Sequence, residues 1–158
     1  MKILSPVPIP FVFTQYYGEN VDYYLKFGLA RGHNGDDMIP ASIPKPYRQG
    51  TPIVAPASGR LVWGESPGYG IYAYLYTDIG EFVLGHLHQT YVEQGTVQVG
   101  QVIAGMGCTG NCVPPDGVHV HFGWRPVGYY LDDGMRGYAD PLSYIVSYPS
   151  SHVFVGEQ

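Results

Sequence analysis

Five of the six histidines in this chain fall into three short strings, His33-Asn34-Gly35-Asp36-Asp37, His86-Leu87-His88 and His119-Val120-His121. A catalytic zinc ion takes three protein ligands from histidine, aspartate and glutamate and keeps one position open for water or substrate. His33, Asp37 and one histidine of the pair His119/His121 meet that demand, leaving the other beside the metal to move protons. On a strand, residues i and i+2 project from one face, so His119 and His121 look into one space, and His86 and His88 do the same. His33 and Asp37, four residues apart, share a face if the segment is helical, whereas Gly35 between them equally suits a tight loop entering a strand. Each string alone is weak, and an isolated His-x-His more often lines a polar sheet face. Together in one small chain they point to a metal site. The sixth histidine, His152, reads as a solvated residue of the tail.

Such side chains need a rigid frame, and the composition indicates one made of strands. The chain has 158 residues, enough for one domain with a real core, and only 13% are charged. Twenty-two glycines, 14 prolines and 15 tyrosines leave few segments for a long amphipathic helix. The opening up to Phe13 is proline-rich and extended, and Tyr23 to Leu29 suggests a short helical turn. Pro52–Ala55 and Gly59–Gly64 read as strands around the turn Pro56-Ala57-Ser58-Gly59. From Tyr69 to Thr77, Ile71, Ala73 and Leu75 point one way and Tyr72, Tyr74 and Tyr76 the other. Gly80 turns this strand into Glu81–His88, a hairpin. Turns at Gly95 and Gly100 precede another strand, Val118–Trp124 forms the last long one, and Asp140–Ile145 suggests a short helix. Ala41–Gly50 is expected to be a surface loop. The fold expected is mainly β, a compact antiparallel β-sheet domain with few short helices.

Charge and termini narrow the function classes. A formal net charge of −5 excludes a general nucleic-acid binder, which would carry a basic stripe. It also disfavours adhesion to an anionic cell wall, so recognition of such a substrate would come from a groove or a partner. The N-terminus has no apolar stretch of signal-peptide length, and no segment approaches the roughly 18 apolar residues of a membrane span. No export signal and no membrane insertion are therefore expected. Cys108 and Cys112 flank Thr109-Gly110-Asn111; a small disulfide loop and a pair of free thiols are both open, and their spacing alone is a weak zinc signal.

Several strings occur in a telling order: His33-x-Gly35-x-Asp37, Gly50-Thr51-Pro52-Ile53-Val54-Ala55-Pro56-Ala57-Ser58-Gly59, Gly68-Tyr69-Gly70, Gly85-His86-Leu87, Val99-Gly100-Gln101-Val102-Ile103-Ala104 and His119-Val120-His121-Phe122. That order resembles the lysostaphin/LytM-type zinc metalloendopeptidases (duplicated hybrid motif fold), which cut peptides in peptidoglycan. The resemblance runs from about Thr14 to Ile145. It implies an open active-site groove, one zinc ion held by His33, Asp37 and His121, and His86 and His119 as the catalytic histidines that are not ligands. It also implies domain limits: an extended segment over 1–13, a peptidase domain over 14–146 and a tail over 147–158. Zinc polarises a carbonyl and acidifies water, and an imidazole titrating near neutrality can take and return the proton. No His-Glu-x-x-His helix is present, so histidine is the natural base.

Departures from the family pattern are specific. Asp36 replaces a usually apolar residue before the ligand aspartate; it could bond a ligand histidine but is expected to face solvent. The link Asn111–Val118 is longer than usual and is expected to edge the groove. A tyrosine usual just upstream of the first ligand is replaced by Phe27, with Tyr23 and Tyr24 further off. His88 is either a groove-lining residue or a partner of His86, and Tyr72 and Tyr74 are candidates for substrate contact.

The function expected is zinc-dependent hydrolysis of peptide bonds in peptidoglycan cross-links or stems, in phage entry or lysis. Other phage tail proteins are candidate partners, and a virion-associated or phage-released location follows. The alternative is a non-catalytic structural or binding module of the same fold, a tail component or an activator. Phosphocarrier and lipoyl-type readings fit less well, since Lys2, Lys26 and Lys45 lie outside the hairpin region.

Overall fold

The computed structural model describes residues 1–112 and 117–147. The chain opens on β1 (Ile3–Leu4) and β2 (Phe11–Gln15), followed by a short helix α1 (Val21–Leu25) and β3 (Asp36–Pro40). Next come β4 (Pro52–Val54), β5 (Gly59–Ser66), β6 (Gly70–Thr77), β7 (Gly80–Thr90), β8 (Gly95–Val97), β9 (Val102–Met106), β10 (Val120–Arg125) and β11 (Ile145–Val146). Single 3-10 turns occupy Lys45–Tyr47, within the expected loop, and Leu142–Tyr144, within the expected terminal helix. The expected helical turn at Tyr23–Leu29 is realised as α1, which starts two residues earlier and ends at Leu25. His152 lies outside the described residues, as do residues 113–116 of the long link.

Nine strands form one sheet along the path β2-β3-β10-β7-β6-β5-β8, with β4 paired to β9 and β9 to β7. All pairings in it are antiparallel. β1 and β11 pair in parallel, tying the start of the chain to the region after the last long strand. The opening segment is therefore structured: Phe11–Gln15 is a full edge strand on β3.

The core follows from alternation. Ala73 and Leu75 of β6 are buried while Tyr72 and Tyr74 are half-buried and Tyr76 is exposed. Phe82 and Leu84 of β7 meet Phe122 of β10, with the Phe82 and Phe122 rings stacked at 5.7 Å. Met38, Ile53, Leu61, Leu87, Ile103 and Met106 complete a single apolar layer. The central strands β3, β10 and β7 thus rest on a packed core on one side and present the histidine-bearing positions on the other.

Candidate metal centre

Strand register brings Asp37 and His121 together. In the β3–β10 pairing Asp37 lies directly opposite His121, and Gly85 of β7 lies opposite His121 on its other flank. Directly opposed side chains in an antiparallel pair sit about 5 Å apart at Cβ, close enough for both to reach one ion. Both neighbours of His121 need small residues. A Cβ at Gly35 would lie 2.9 Å from the His121 ring and 2.4 Å from the Phe122 carbonyl oxygen. A Cβ at Gly85 would lie 3.4 Å from the His121 Cβ and 3.2 Å from the Tyr69 ring. The central glycine of His33-x-Gly35-x-Asp37 is therefore required by the imidazole that passes over it.

His33 arrives by a different route. Its backbone N–H donates to the Glu19 carbonyl (2.8 Å) and its carbonyl accepts from Gly18 (2.8 Å), so the segment after β2 clamps it. Its Nε2 lies 3.0 Å from His121 Nδ1 and 3.2 Å from Asp37 Oδ1, and His121 Nδ1 lies 3.2 Å from the same Oδ1. All three residues are buried. Donor atoms around a tetrahedral zinc at usual bond lengths stand about 3.3 Å apart, so this near-equilateral triangle has the size of one ligand face. Charge states agree. Burial pushes the Asp37 carboxyl up, but its hydrogen bonds with His121 and His33 outweigh that and hold it far below the usual range. Burial pushes His121 down to about 4, keeping it neutral at pH 7. An ionised carboxylate and a neutral imidazole, as at Asp37 and His121, are forms that bind a cation, and His33, Asp37 and His121 form the one cluster of metal-ligating type among the described residues.

His86 and His119 flank this triangle, their rings 4.6 Å apart. His86 sits in the left-handed region (φ 62°) at a bulge where β7 slips against β6. That bulge re-aims its side chain into the groove. Its Nδ1 lies 2.7 Å from the Thr109 carbonyl, which can only accept, so Nδ1 carries the proton and Nε2 keeps its lone pair. His119 repeats the arrangement, its Nδ1 donating to the Gly117 carbonyl, and its Nε2 lies 3.5 Å from Asp37 Oδ2. Burial, then the charge of His119, lowers His86 to about 4. All five candidate residues therefore converge on one place.

Three expectations are corrected and one open alternative is decided. Asp36 does not face solvent: it is fully buried, and its Oδ1 accepts from the Tyr17 backbone N–H at 2.9 Å, because alternation along β3 turns it away from Asp37. His88 does not share the face of His86. The left-handed residue breaks the alternation, and His88 is exposed beside Gln49 (3.3 Å). Tyr72 and Tyr74 do not reach the groove; they line a shallow depression with Trp63, Glu81 and Arg125. The free-thiol alternative is excluded, since Cys108 and Cys112 are disulfide-bonded.

The aromatic walls of the groove, whose volume is about 900 Å³, come from Tyr23, Tyr24, Phe27 and Tyr69. The Tyr24 ring is 5.2 Å from that of His33, and burial followed by the Asp37 charge raises its pKa, so it remains a phenol. The Tyr69 ring is 5.2 Å from that of His121, and its hydroxyl accepts from Asn34 Nδ2 at 2.7 Å. Sequence reasoning missed Tyr69, Asn34 and Thr109 as parts of the site. Tyr69 had one readable signal, its place between Gly68 and Gly70 at the mouth of a strand.

The model of peptidase family M23 matches residues 39–133, and the chain belongs to that family. Among solved structures, a catalytic-domain variant of the prophage-encoded M23 protein EnpA from Enterococcus faecalis is 27% identical, over 85% of this chain and 92% of that one, with a TM-score of 0.59. The catalytic domain of the antimicrobial peptidase lysostaphin from Staphylococcus simulans is 23% identical over 85% and 91%, with a TM-score of 0.63, a likeness of fold. A Pseudomonas aeruginosa chain provisionally assigned to peptidase M23 is 22% identical over 89% of this chain, with a TM-score of 0.61, and this chain spans 48% of its length. No curated protein matches the sequence. No helix among the described residues is long and apolar enough to cross a membrane.

Proposed function

We propose that this chain is a zinc-dependent endopeptidase that hydrolyses peptide bonds in peptidoglycan cross-links or stems. The observation that carries the reading is the triangle of His33 Nε2, His121 Nδ1 and Asp37 Oδ1, three buried donor atoms 3.0 to 3.2 Å apart. When bound there, zinc supplies a Lewis acid that polarises a scissile carbonyl and acidifies water. His33, Asp37 and His121 hold the ion. His86 and His119 leave their Nε2 atoms free beside it, one of them to take a proton from the attacking water and then return that proton to the leaving amine. Tyr24 packs its ring against His33 while its hydroxyl donates to Gln15 Oε1 at 3.3 Å, so it walls the site on that side. The tyrosine-walled groove takes an extended peptide by ring contacts rather than by charge, in keeping with a net charge of −5.

A phage setting, in a virion tail or as a released lysin, is part of the proposal and is supported by the prophage-encoded relative. The non-catalytic alternative finds no support in the site, which keeps every position of the metal and histidine set. Digestion of structurally defined peptidoglycan, with and without a chelator and with mass spectrometry of the products, tests the reading. Chelator-sensitive release of peptides with new amino termini is expected. Absence of products from every wall type, with zinc bound, would transfer the chain to the structural alternative.

A further inference from the structure

The alternation that buries Ala73 and Leu75 turns Tyr72, Tyr74 and Tyr76 of β6 to the sheet face that carries His121. Tyr74, Val83 and Gly123 stand opposite one another, and Gly123 lies two residues from His121 on β10. The next row across β5, β6, β7 and β10 is Arg60, Tyr76, Glu81 and Arg125. Each ring is held by a neighbour. The Tyr72 ring ends over Gly64, where a Cβ would come within 2.3 Å of it. The Tyr74 hydroxyl donates to Glu81 Oε2 and accepts from Arg125 Nη1 at 3.0 Å. The Arg60 guanidinium lies 4.4 Å from the centre of the Tyr76 ring. Tyr69, a wall of the groove, meets Tyr72 at 5.8 Å, so aromatic surface runs on from the groove into a depression of about 410 Å³.

We propose that this tyrosine face is a saccharide site, and that it holds the N-acetylated glycan strand whose peptides enter the groove. The identity of the strand rests on the proposed hydrolysis of peptidoglycan, whereas the saccharide chemistry rests on the face itself. A pyranose ring has an apolar face of C–H groups and a rim of hydroxyls that both donate and accept. Tyrosine rings already held in place give flat apolar contact at little cost in entropy. The rim finds both kinds of partner: Glu81 has a second carboxylate oxygen to accept, and Arg125 has further N–H groups to donate. Because that carboxylate and guanidinium are already joined through Tyr74, their charges balance and the depression suits an uncharged ligand. An acetamido group adds an N–H for Glu81, a carbonyl for Arg125 and a methyl for Val62, which lines the same depression. Its volume falls in the small-ligand range of about 300–1,000 Å³. Continuity through Tyr69 and Tyr72 lets one polymer occupy both places.

The test uses the whole zinc-loaded chain with carbon-13 in its tyrosine rings. Three probes are titrated to millimolar concentration: chitohexaose, cellohexaose (the same backbone without acetamido groups) and peptide-free glycan released from peptidoglycan. Chitohexaose and the released glycan are expected to shift the ring signals of Tyr72, Tyr74 and Tyr76 saturably while Tyr24 in the groove stays in place. Cellohexaose is expected to bind at least about tenfold more weakly. Tyr76 is exposed, so its removal does not threaten folding, and Tyr76→Ala is expected to weaken chitohexaose binding about tenfold. The same variant is expected to lower the ratio of cleavage of glycan-attached peptide to glycan-free peptide about tenfold. No shift with any probe would overturn the proposal, as would shifts confined to the groove rings or equal binding of cellohexaose. Shifts of these tyrosines with protein concentration alone would mark a face for a second copy and overturn it too. Binding of chitohexaose but not of the released glycan would overturn the choice of strand. If no wall is cut while the released glycan still binds, the hydrolytic reading fails and the saccharide site stands.

Discussion

Asp36 and Asp37 point to opposite faces of β3, and their surroundings push their carboxyl groups in opposite directions. Asp37 meets two imidazoles and stays ionised, whereas burial raises Asp36 to about 6 even though the Tyr17 N–H pulls the other way. A carboxyl raised from 3.8 in the folded state contributes stability below that value and loses it as pH climbs through about 6. Asp36→Asn keeps an oxygen for Tyr17 and removes the charge. In the metal-free protein its stability relative to the parent is expected to grow between pH 4 and pH 7, by on the order of 1–3 kcal/mol, in urea titrations at each pH. A difference flat in pH would contradict a buried, strained carboxylate. For the metal set, His33→Ala, Asp37→Ala and His121→Ala are expected to abolish zinc binding by metal analysis. His86→Ala and His119→Ala are expected to keep zinc and lose roughly 10²–10⁴-fold in turnover.

Register does at the level of strands what side-chain chemistry does at the site. Asp37 faces His121 because β3 and β10 pair where they do, and Gly35 lets the two strands carry an imidazole between them. Gly35→Ala is expected to displace the His121 ring, weaken zinc binding by at least about tenfold and cost about 1–3 kcal/mol by overpacking. Zinc titration and thermal unfolding of the purified variant check it, and parental values for both would contradict the packing argument. The same elements show what a sequence can disclose. The hairpin β6–β7 was legible because Ala73, Leu75 and the tyrosines between them alternate with period two. The site strings were legible because five histidines cluster in three motifs and match an ordered family pattern. His88 was not, because a single left-handed residue reverses the alternation and periodicity carries no sign of it. Nor was Asp36, since an aspartate in a strand reads as solvent-facing until the side it takes is known. The groove aromatics were only partly legible: Tyr69 stands between two glycines, but Tyr24 on α1 and Tyr69 before β6 come to one groove only through the tertiary fold.

The molecule as a whole joins one apolar layer to a polar groove across the same central strands, so metal, protons and folding are linked. His86 and His121 have folded-state values lowered to about 4 from 6.5. As pH falls from 6.5 toward 4, the unfolded chain takes up protons that these folded imidazoles refuse, so stability falls across that window and is fully present above it. Calorimetry of the metal-free protein is expected to show Tm dropping through that range. Zinc at about 100 times its Kd is expected to add about 3 kcal/mol near neutrality, and that gain should shrink in acid as ligand histidines protonate. The measurement that bears most directly on the central claim is X-ray absorption at the zinc edge of the purified, zinc-loaded chain, in parent and His121→Ala forms. One zinc per chain is expected, with nitrogen and oxygen scatterers at about 2.0–2.2 Å, imidazole features included, and loss of the ion in the variant. A shell containing sulfur at about 2.3 Å, or zinc retained unchanged without His121, would contradict it.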